Sequence, residues 1–327
     1  MKRLLPFAAV VLLSLPSFAL GTREAPTPAV VLRLGALKGP TGIGMVRVFE
    51  SPPYLPGGVT LELQAVPSAD AMAAKLVSGE LDAAVLPVNL AAKLYVSGLP
   101  YRLAAVVGMG MVSVVTTDPG IRTFEDLKGR EVHVAGQGAT PEYLIRTIAA
   151  ARGLDPDRDL ALAFRLPYPE MAASLVAGRI SLAVLPEPFA TQALLGNPNA
   201  RVPFSLDQFW REATGRPGYP MSVLVIRDSV IRDRAASVRV LLDAYRDSIA
   251  WVKANPAEAG TLVEKHDLGL KAAVAAAAIP RSAYVFIPAP EARMDVEALL
   301  SVFLRITPKS IGGKLPDPSF YAEIGKR

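Results

Sequence analysis

One segment of this 327-residue chain occurs twice, 99 positions apart. Residues 72–94 read MAAKLVSGELDAAVLPVNLAAKL and residues 171–193 read MAASLVAGRISLAVLPEPFATQA. Met72, Ala73, Ala74, Leu76, Val77, Gly79, Ala84, Val85, Leu86, Pro87 and Ala91 each meet an identical residue in the second copy. Each copy spells a helix with helically spaced Met and Leu, a Gly stop, a continuous apolar strand, a Pro and a second helix start. Two copies are too few for a solenoid, which needs at least three repeats to bury its faces. The duplication therefore points to two similar α/β lobes.

The rest of the chain fits that frame. Val30–Leu34 reads as a strand ending in a Gly-rich turn from Gly35 to Gly44, and Val59–Ala65 as a second strand. Ala69–Val77 is a helix, Leu81–Leu86 a buried strand, and Asn89–Val96 a helix. In the second half, Phe124–Leu127 is a short helix, Glu131–Val134 a strand, Gly136–Gly138 a turn, Pro141–Ala151 a helix and Ala161–Leu166 a strand. Ser229–Ala254 is a long amphipathic helix carrying Val230, Val238, Leu241, Tyr245, Ile249 and Val252 on one face, broken at Asn255-Pro256. Strands that lack alternating polar positions and alternate with helices indicate sheets covered on both faces. The expected fold is α/β, two similar lobes with mainly parallel sheets joined by two crossover strands. The apolar stretches Leu103–Val115 and Met221–Ile226 supply the crossovers. Residues 30–112 and 224–327 then form lobe 1, residues 113–223 lobe 2.

Lys2 and Arg3 precede an apolar run from Leu4 to Leu15 and small residues at Ser17, Ala19 and Gly21, the order of a secretory signal peptide. Residues 1–21 are its expected extent, with cleavage after Ala19 or Gly21, and 22–29 a Pro-containing leader. The run is too short for a good membrane span. No cysteine is present, which excludes disulfides, thiolate metal sites, a cysteine nucleophile and a lipid-modified cysteine anchor. The mature chain is expected outside the cytoplasmic membrane, not lipid-anchored through cysteine, with an uncleaved signal acting as an anchor as the alternative. The net charge of +5 is spread among interleaved acids and bases, so no basic face for nucleic acid is expected.

In open α/β sheets, ligands collect beyond the carboxyl ends of the strands, where helix N-termini offer free N–H groups. Gly39, Thr41 and Gly42 lie in such a turn; it lacks the ending of a P-loop. Asn89 and Glu187 follow the repeated Pro87 and Pro186. Asn89 can cap its helix or contact a ligand; Glu187 can accept bonds from a ligand or offset the helix dipole. Gln137, Gly138 and Thr140 form the second-lobe counterpart of the first turn, able to donate and accept. Met109, Met111 and Tyr219, at the crossovers, can wall a cleft or fill a core. Trp210 can stack on a flat ligand but more often such a residue braces a loop, and Trp251, on the long helix, is a packing or a surface residue. His133 and His266 have no ligand-spaced partner, so no metal and no cofactor is expected. No nucleophile elbow appears.

The segments GALKGPTGIGM (35–45), SGELDAAVLPVNLAAKLY (78–95), EDLKGREVHVAGQGATPE (125–142), AVLPEPF (183–189), SIAWVKANPAEA (248–259) and SIGGKLPDPSFY (310–321) occur in order along the chain. In these it resembles the substrate-binding proteins of ABC importers in the nitrate/sulfonate/thiamine-precursor group, with the type II periplasmic binding fold. The resemblance implies a monomer that closes two lobes on a small-molecule solute and delivers it to a membrane permease, with no catalysis. It leaves the solute open, and the missing lipid-anchor cysteine departs from many relatives. An enzyme on the same fold is the rival reading. The menaquinone-pathway enzymes share the fold but are at odds with an export signal, and the fungal thiamine-pyrimidine synthase relies on cysteine and histidine that this chain lacks. A solute-sensing adaptor is the third.

Overall fold

Eleven strands among residues 30–325, the described part of a computed structural model, carry the architecture. The expected signal peptide and leader, 1–29, lie outside the described residues. The strands are β1 (Val30–Leu37), β2 (Val59–Val66), β3 (Ala83–Pro87), β4 (Tyr101–Met109), β5 (Val112–Thr116), β6 (Glu131–Val134), β7 (Ala161–Ala163), β8 (Leu182–Pro186), β9 (Arg201–Ser205), β10 (Pro220–Arg227) and β11 (Ala283–Pro288). They form a six-stranded sheet in the order β11-β4-β10-β3-β1-β2 and a five-stranded sheet in the order β7-β6-β8-β5-β9. Helices cover both sheets, giving the two-lobed α/β fold expected from the duplication.

The duplicated segment occupies equivalent places in the two sheets. β3 and β8 are central, preceded by the helices Ala69–Val77 and Tyr168–Val176 and followed by Val88–Val96 and Phe189–Gly196. Their Ala, Val and Leu side chains are fully buried apart from Leu182, itself only 3% exposed. Burying each Val or Leu contributes about 1.5–3 kcal/mol. The parallel character is confined to β1-β2-β3 and to β6-β7-β8. The remaining pairs, β10 with β3 and β4, β11 with β4, and β5 with β8 and β9, are antiparallel. Each sheet is therefore mixed, because the strands that carry the chain between lobes run against those from the α/β units.

Three local expectations differ from the structure. Gly35 continues β1 and does not open a turn: a Cβ there would stand 2.7 Å from Leu81 Cδ1 and 2.9 Å from Met72 Sδ. The glycine serves close packing, and the turn falls at Lys38-Gly39. The apolar run Leu103–Val115 is two strands, β4 and β5, divided at Gly110 and Met111, which take φ of 44° and 70°. This positive-φ corner turns the chain out of one sheet and into the other; glycine adopts it without the steric penalty of a Cβ. The long helix is split at Arg234 into Asp228–Asp233 and Ala235–Ala254.

The return crossing begins pairing at Pro220, opposite Met109, so residue 224 falls inside β10 rather than at a lobe boundary. Gly110 N–H donates to the Tyr219 carbonyl at 2.9 Å, tying the two crossings together. The C-terminal part then packs on the first lobe through β11, the helix Ala289–Ile306 and a bridge from Leu103 to Tyr321. Phe303 of that helix also meets Tyr143 of the second lobe, ring centroids 4.1 Å apart. No described helix is long and apolar enough to cross a membrane.

Candidate functional site

The carboxyl ends of β1, β3, β6 and β8 lead into the helices Pro40–Gly44, Val88–Val96, Thr140–Ala151 and Phe189–Gly196. From the first lobe comes the turn after β1. Gly39 is buried, its N–H donating to the Leu268 carbonyl at 2.8 Å, and Gly42 packs under the Leu268 side chain. The Thr41 hydroxyl donates to the Leu37 carbonyl at 2.9 Å, closing the turn instead of capping the helix. Asn89 does not cap its helix either, Pro87 being the N-cap. Its Nδ2 points across the junction to the Gly138 carbonyl at 3.5 Å, the long limit of a hydrogen bond.

The second lobe answers with two turns. Gly138 N–H donates to Glu142 Oε2 at 2.7 Å, Thr140 is buried at the start of the helix Thr140–Ala151, and Gln137 is exposed. Glu187 follows β8 and is only 3% exposed. Its Oε2 accepts the Thr191 N–H at 3.1 Å, satisfying one free donor of the helix Phe189–Gly196. Its Oε1 accepts Arg281 Nε at 2.8 Å, and Arg281 belongs to the first lobe. The ion pair thus spans the junction. Beside it the first-lobe helix Ala272–Ala278 packs on Phe189–Gly196.

Thr41, Gly108, Ser222, Tyr245 and Tyr284 of the first lobe, with Met111 of the crossing, line a crevice too small to hold a water. Burial pushes the Tyr245 and Tyr284 hydroxyls well above the usual phenol range. Both therefore stay uncharged across physiological pH. The Tyr284 hydroxyl and the Thr191 Oγ1 are buried without a hydrogen-bond partner among the described residues.

Other sequence candidates lie elsewhere. Tyr219 is core: its ring meets Trp210 edge-on at 5.6 Å and its hydroxyl donates to Asp207 at 2.5 Å. Burial and the Asp207 carboxylate raise its pKa well above the phenol range. Met109 is half-buried against Gly218, opposite Pro220 and Ala283 in the sheet, and does not line the crevice; Met111 does. Trp210 Nε1 donates to the Gly218 carbonyl at 3.1 Å and braces that loop. Trp251 lies under the Arg47 guanidinium. His266 Nε2 contacts Glu50 at 2.8 Å, and among the described residues no cluster of three His, Cys, Asp or Glu is placed to hold a metal.

Sequence reasoning missed Arg281 at this junction, and Tyr245 and Tyr284 in the first-lobe crevice. Arg281 lies 94 residues from its partner with no motif around it. Tyr245 sits on the apolar stripe of its helix, where periodicity alone reads it as core.

Comparison with known proteins gives this geometry its context. Residues 46–265 match the NMT1-like family. A structure of an ABC transporter protein from Parabacteroides distasonis is 28% identical, with a TM-score of 0.78 over 90% of this chain and 99% of that one. The periplasmic aliphatic sulphonate binding protein SsuA from Escherichia coli is 20% identical, with a TM-score of 0.67 over 92% and 96% of the two chains. The periplasmic nitrate-binding protein NrtA from Synechocystis PCC 6803 is 15% identical, with a TM-score of 0.62 over 87% and 84%. The nitrate import ATP-binding protein NrtC of Synechocystis is 29% identical over 168 residues, 45% of this chain but 24% of that protein. The chain thus spans about a quarter of the length of that curated relative. The family match covers well over half of the residues, and the chain belongs to the NMT1-like family.

Proposed function

We propose that this protein is the extracytoplasmic solute-binding component of an ABC-type importer, closing its lobes on a small organic solute and presenting it to a membrane permease. The observation that carries this reading is the Glu187–Arg281 pair, which joins a buried carboxylate of one lobe to a guanidinium of the other. A contact of that kind exists only when the lobes are together. A solute held between Thr41, Tyr245 and Tyr284 on one side and the Glu187 turn on the other favours the closed form and shifts the population toward it. The names of the structural relatives support the same role. Gly39, Gly42, Asn89, Gly138 and Thr140 frame the mouth of the site, and Gln137 sits at its exposed edge. Solute enters by separation of the lobes, since the crevice beside Tyr245 and Tyr284 has no room for it as it stands.

A thermal-shift screen tests this. A solute at a hundred times its dissociation constant stabilises the folded state by about 2.7 kcal/mol. At least one compound in a panel of sulfonates, nucleobases, pyrimidine precursors, flavins and amino acids is expected to raise the melting temperature by several degrees. A flat response across the panel counts against a solute-binding role.

A further inference from the structure

Two buried carboxylates occupy the second lobe's side of the cleft, and each is bonded where an anionic solute would otherwise dock. A helix N-terminus attracts anions because its first N–H groups are unpaired and its dipole end is positive. At the helix Thr140–Ala151, Glu142 Oε2 already takes the Gly138 N–H at 2.7 Å, and Glu142 Oε1 takes Arg146 Nε at 2.8 Å. At the helix Phe189–Gly196, Glu187 takes the Thr191 N–H on one oxygen and Arg281 on the other. Glu142 is 7% exposed and Glu187 3%. Lys38, next to Gly39 in the first-lobe turn, is spoken for as well, paired with Asp267.

The charges that face the cleft are therefore matched within the protein. A nitrate or sulfonate entering here would meet two fixed carboxylates and cations already engaged. An ion without a partner in a buried site loses several kcal/mol or more of solvation. A cationic solute would have to compete with Arg281 for Glu187. An independent observation shows what is left for a ligand to bond. Tyr284 is 3% exposed on the wall of the first-lobe crevice and its hydroxyl has no partner among the described residues; Thr191 Oγ1, on the residue whose N–H bonds Glu187, is buried in the same condition. Both are uncharged groups able to donate and accept.

We propose that the cleft selects an uncharged organic solute bearing hydrogen-bonding groups, and rejects small anions and sulfonates. Glu142 and Glu187 hold the anion seats of the second lobe, and the Tyr284 and Thr191 hydroxyls make the polar contacts. This deepens the solute-binding reading and rests on it. It also separates this chain from the structural relatives named for nitrate and sulphonate.

Calorimetry on the unaltered protein tests it, with sodium nitrate, sodium ethanesulfonate, choline chloride, uracil, nicotinamide and riboflavin as probes. The expected result is binding of at least one uncharged probe at least about 10-fold tighter than any charged one, with the two anions weaker than about 1 mM. Micromolar binding of nitrate, ethanesulfonate or choline overturns the inference while leaving a solute-binding protein in place. Silence from all six probes counts against both the inference and the solute-binding role.

Discussion

Arg281→Ala is expected to move the lobes apart, raising the ratio of open to closed protein by roughly 5- to 150-fold, the equivalent of about 1–3 kcal/mol. Glu187 is almost wholly buried when the lobes meet, and Arg281 Nε is its cationic partner. Removing one member of a fully buried pair costs about 3–5 kcal/mol, because the other charge stays desolvated. Two features reduce that figure here. The Arg281 side chain is 43% exposed, so part of its field is screened. Glu187 also keeps the Thr191 N–H. The protein has an escape from the remaining penalty: separating the lobes returns Glu187 to water. The effect is therefore expected in lobe opening more than in melting. Small-angle scattering should show a larger radius of gyration for Arg281→Ala and a smaller change for Arg281→Lys. Identical radii for the variant and the unaltered protein would show that the pair does not hold the lobes.

Gly260→Ala is expected to destabilise the first lobe by about 1–3 kcal/mol despite improving helix propensity. Gly260 lies inside the helix Pro256–Lys265, where alanine in place of glycine ordinarily gains about 1 kcal/mol. A Cβ at this position would stand 2.4 Å from the Ala272 carbonyl oxygen and 3.0 Å from both the N and the Cβ of Ala276. Two of those three atoms are backbone and cannot rotate away, so the helix Ala272–Ala278 must shift bodily. That helix packs on Phe189–Gly196 of the second lobe and leads directly into Ile279–Arg281. The clash outweighs the propensity gain and displaces Arg281 as well. Thermal unfolding should show a melting temperature lower by several degrees, together with weaker solute binding. A rise in melting temperature would mean that the two helices are not packed backbone to backbone.

The duplicated segment made the two lobes legible, because a helix, a Gly stop and a buried strand leave strong local marks. The helix Ala69–Val77 and the strand Glu131–Val134 lie where the sequence places them. Glu187 stood out for the same reason, being a carboxylate set between two prolines after a buried strand. What escaped reading depends on contacts distant in sequence. Nothing in the apolar run from Leu103 to Val115 separates a straight strand from two strands with a corner, except Gly110. Tyr219 and Met111 both flank a crossing, yet Trp210 and Asp207 draw Tyr219 into the core while Met111 faces the crevice. Gly35 looked like a turn residue because glycine permits both tight turns and close packing, and only the positions of Leu81 and Met72 decide between them. Arg281 had no local signal at all; its role comes from folding 94 residues back onto Glu187.

The central claim is that solute binding brings the lobes together, and the absence of native cysteine makes it directly measurable. Val77 in the first lobe and Leu195 in the second are 65% and 59% exposed. The double variant Val77→Cys/Leu195→Cys can carry a donor and an acceptor fluorophore without competing thiols. Titrating the tightest-binding uncharged solute should raise energy transfer along the same saturation curve that calorimetry gives for binding, reaching a single high-transfer state. Saturable binding with unchanged transfer would contradict the account, since the solute would then occupy the protein without closing it.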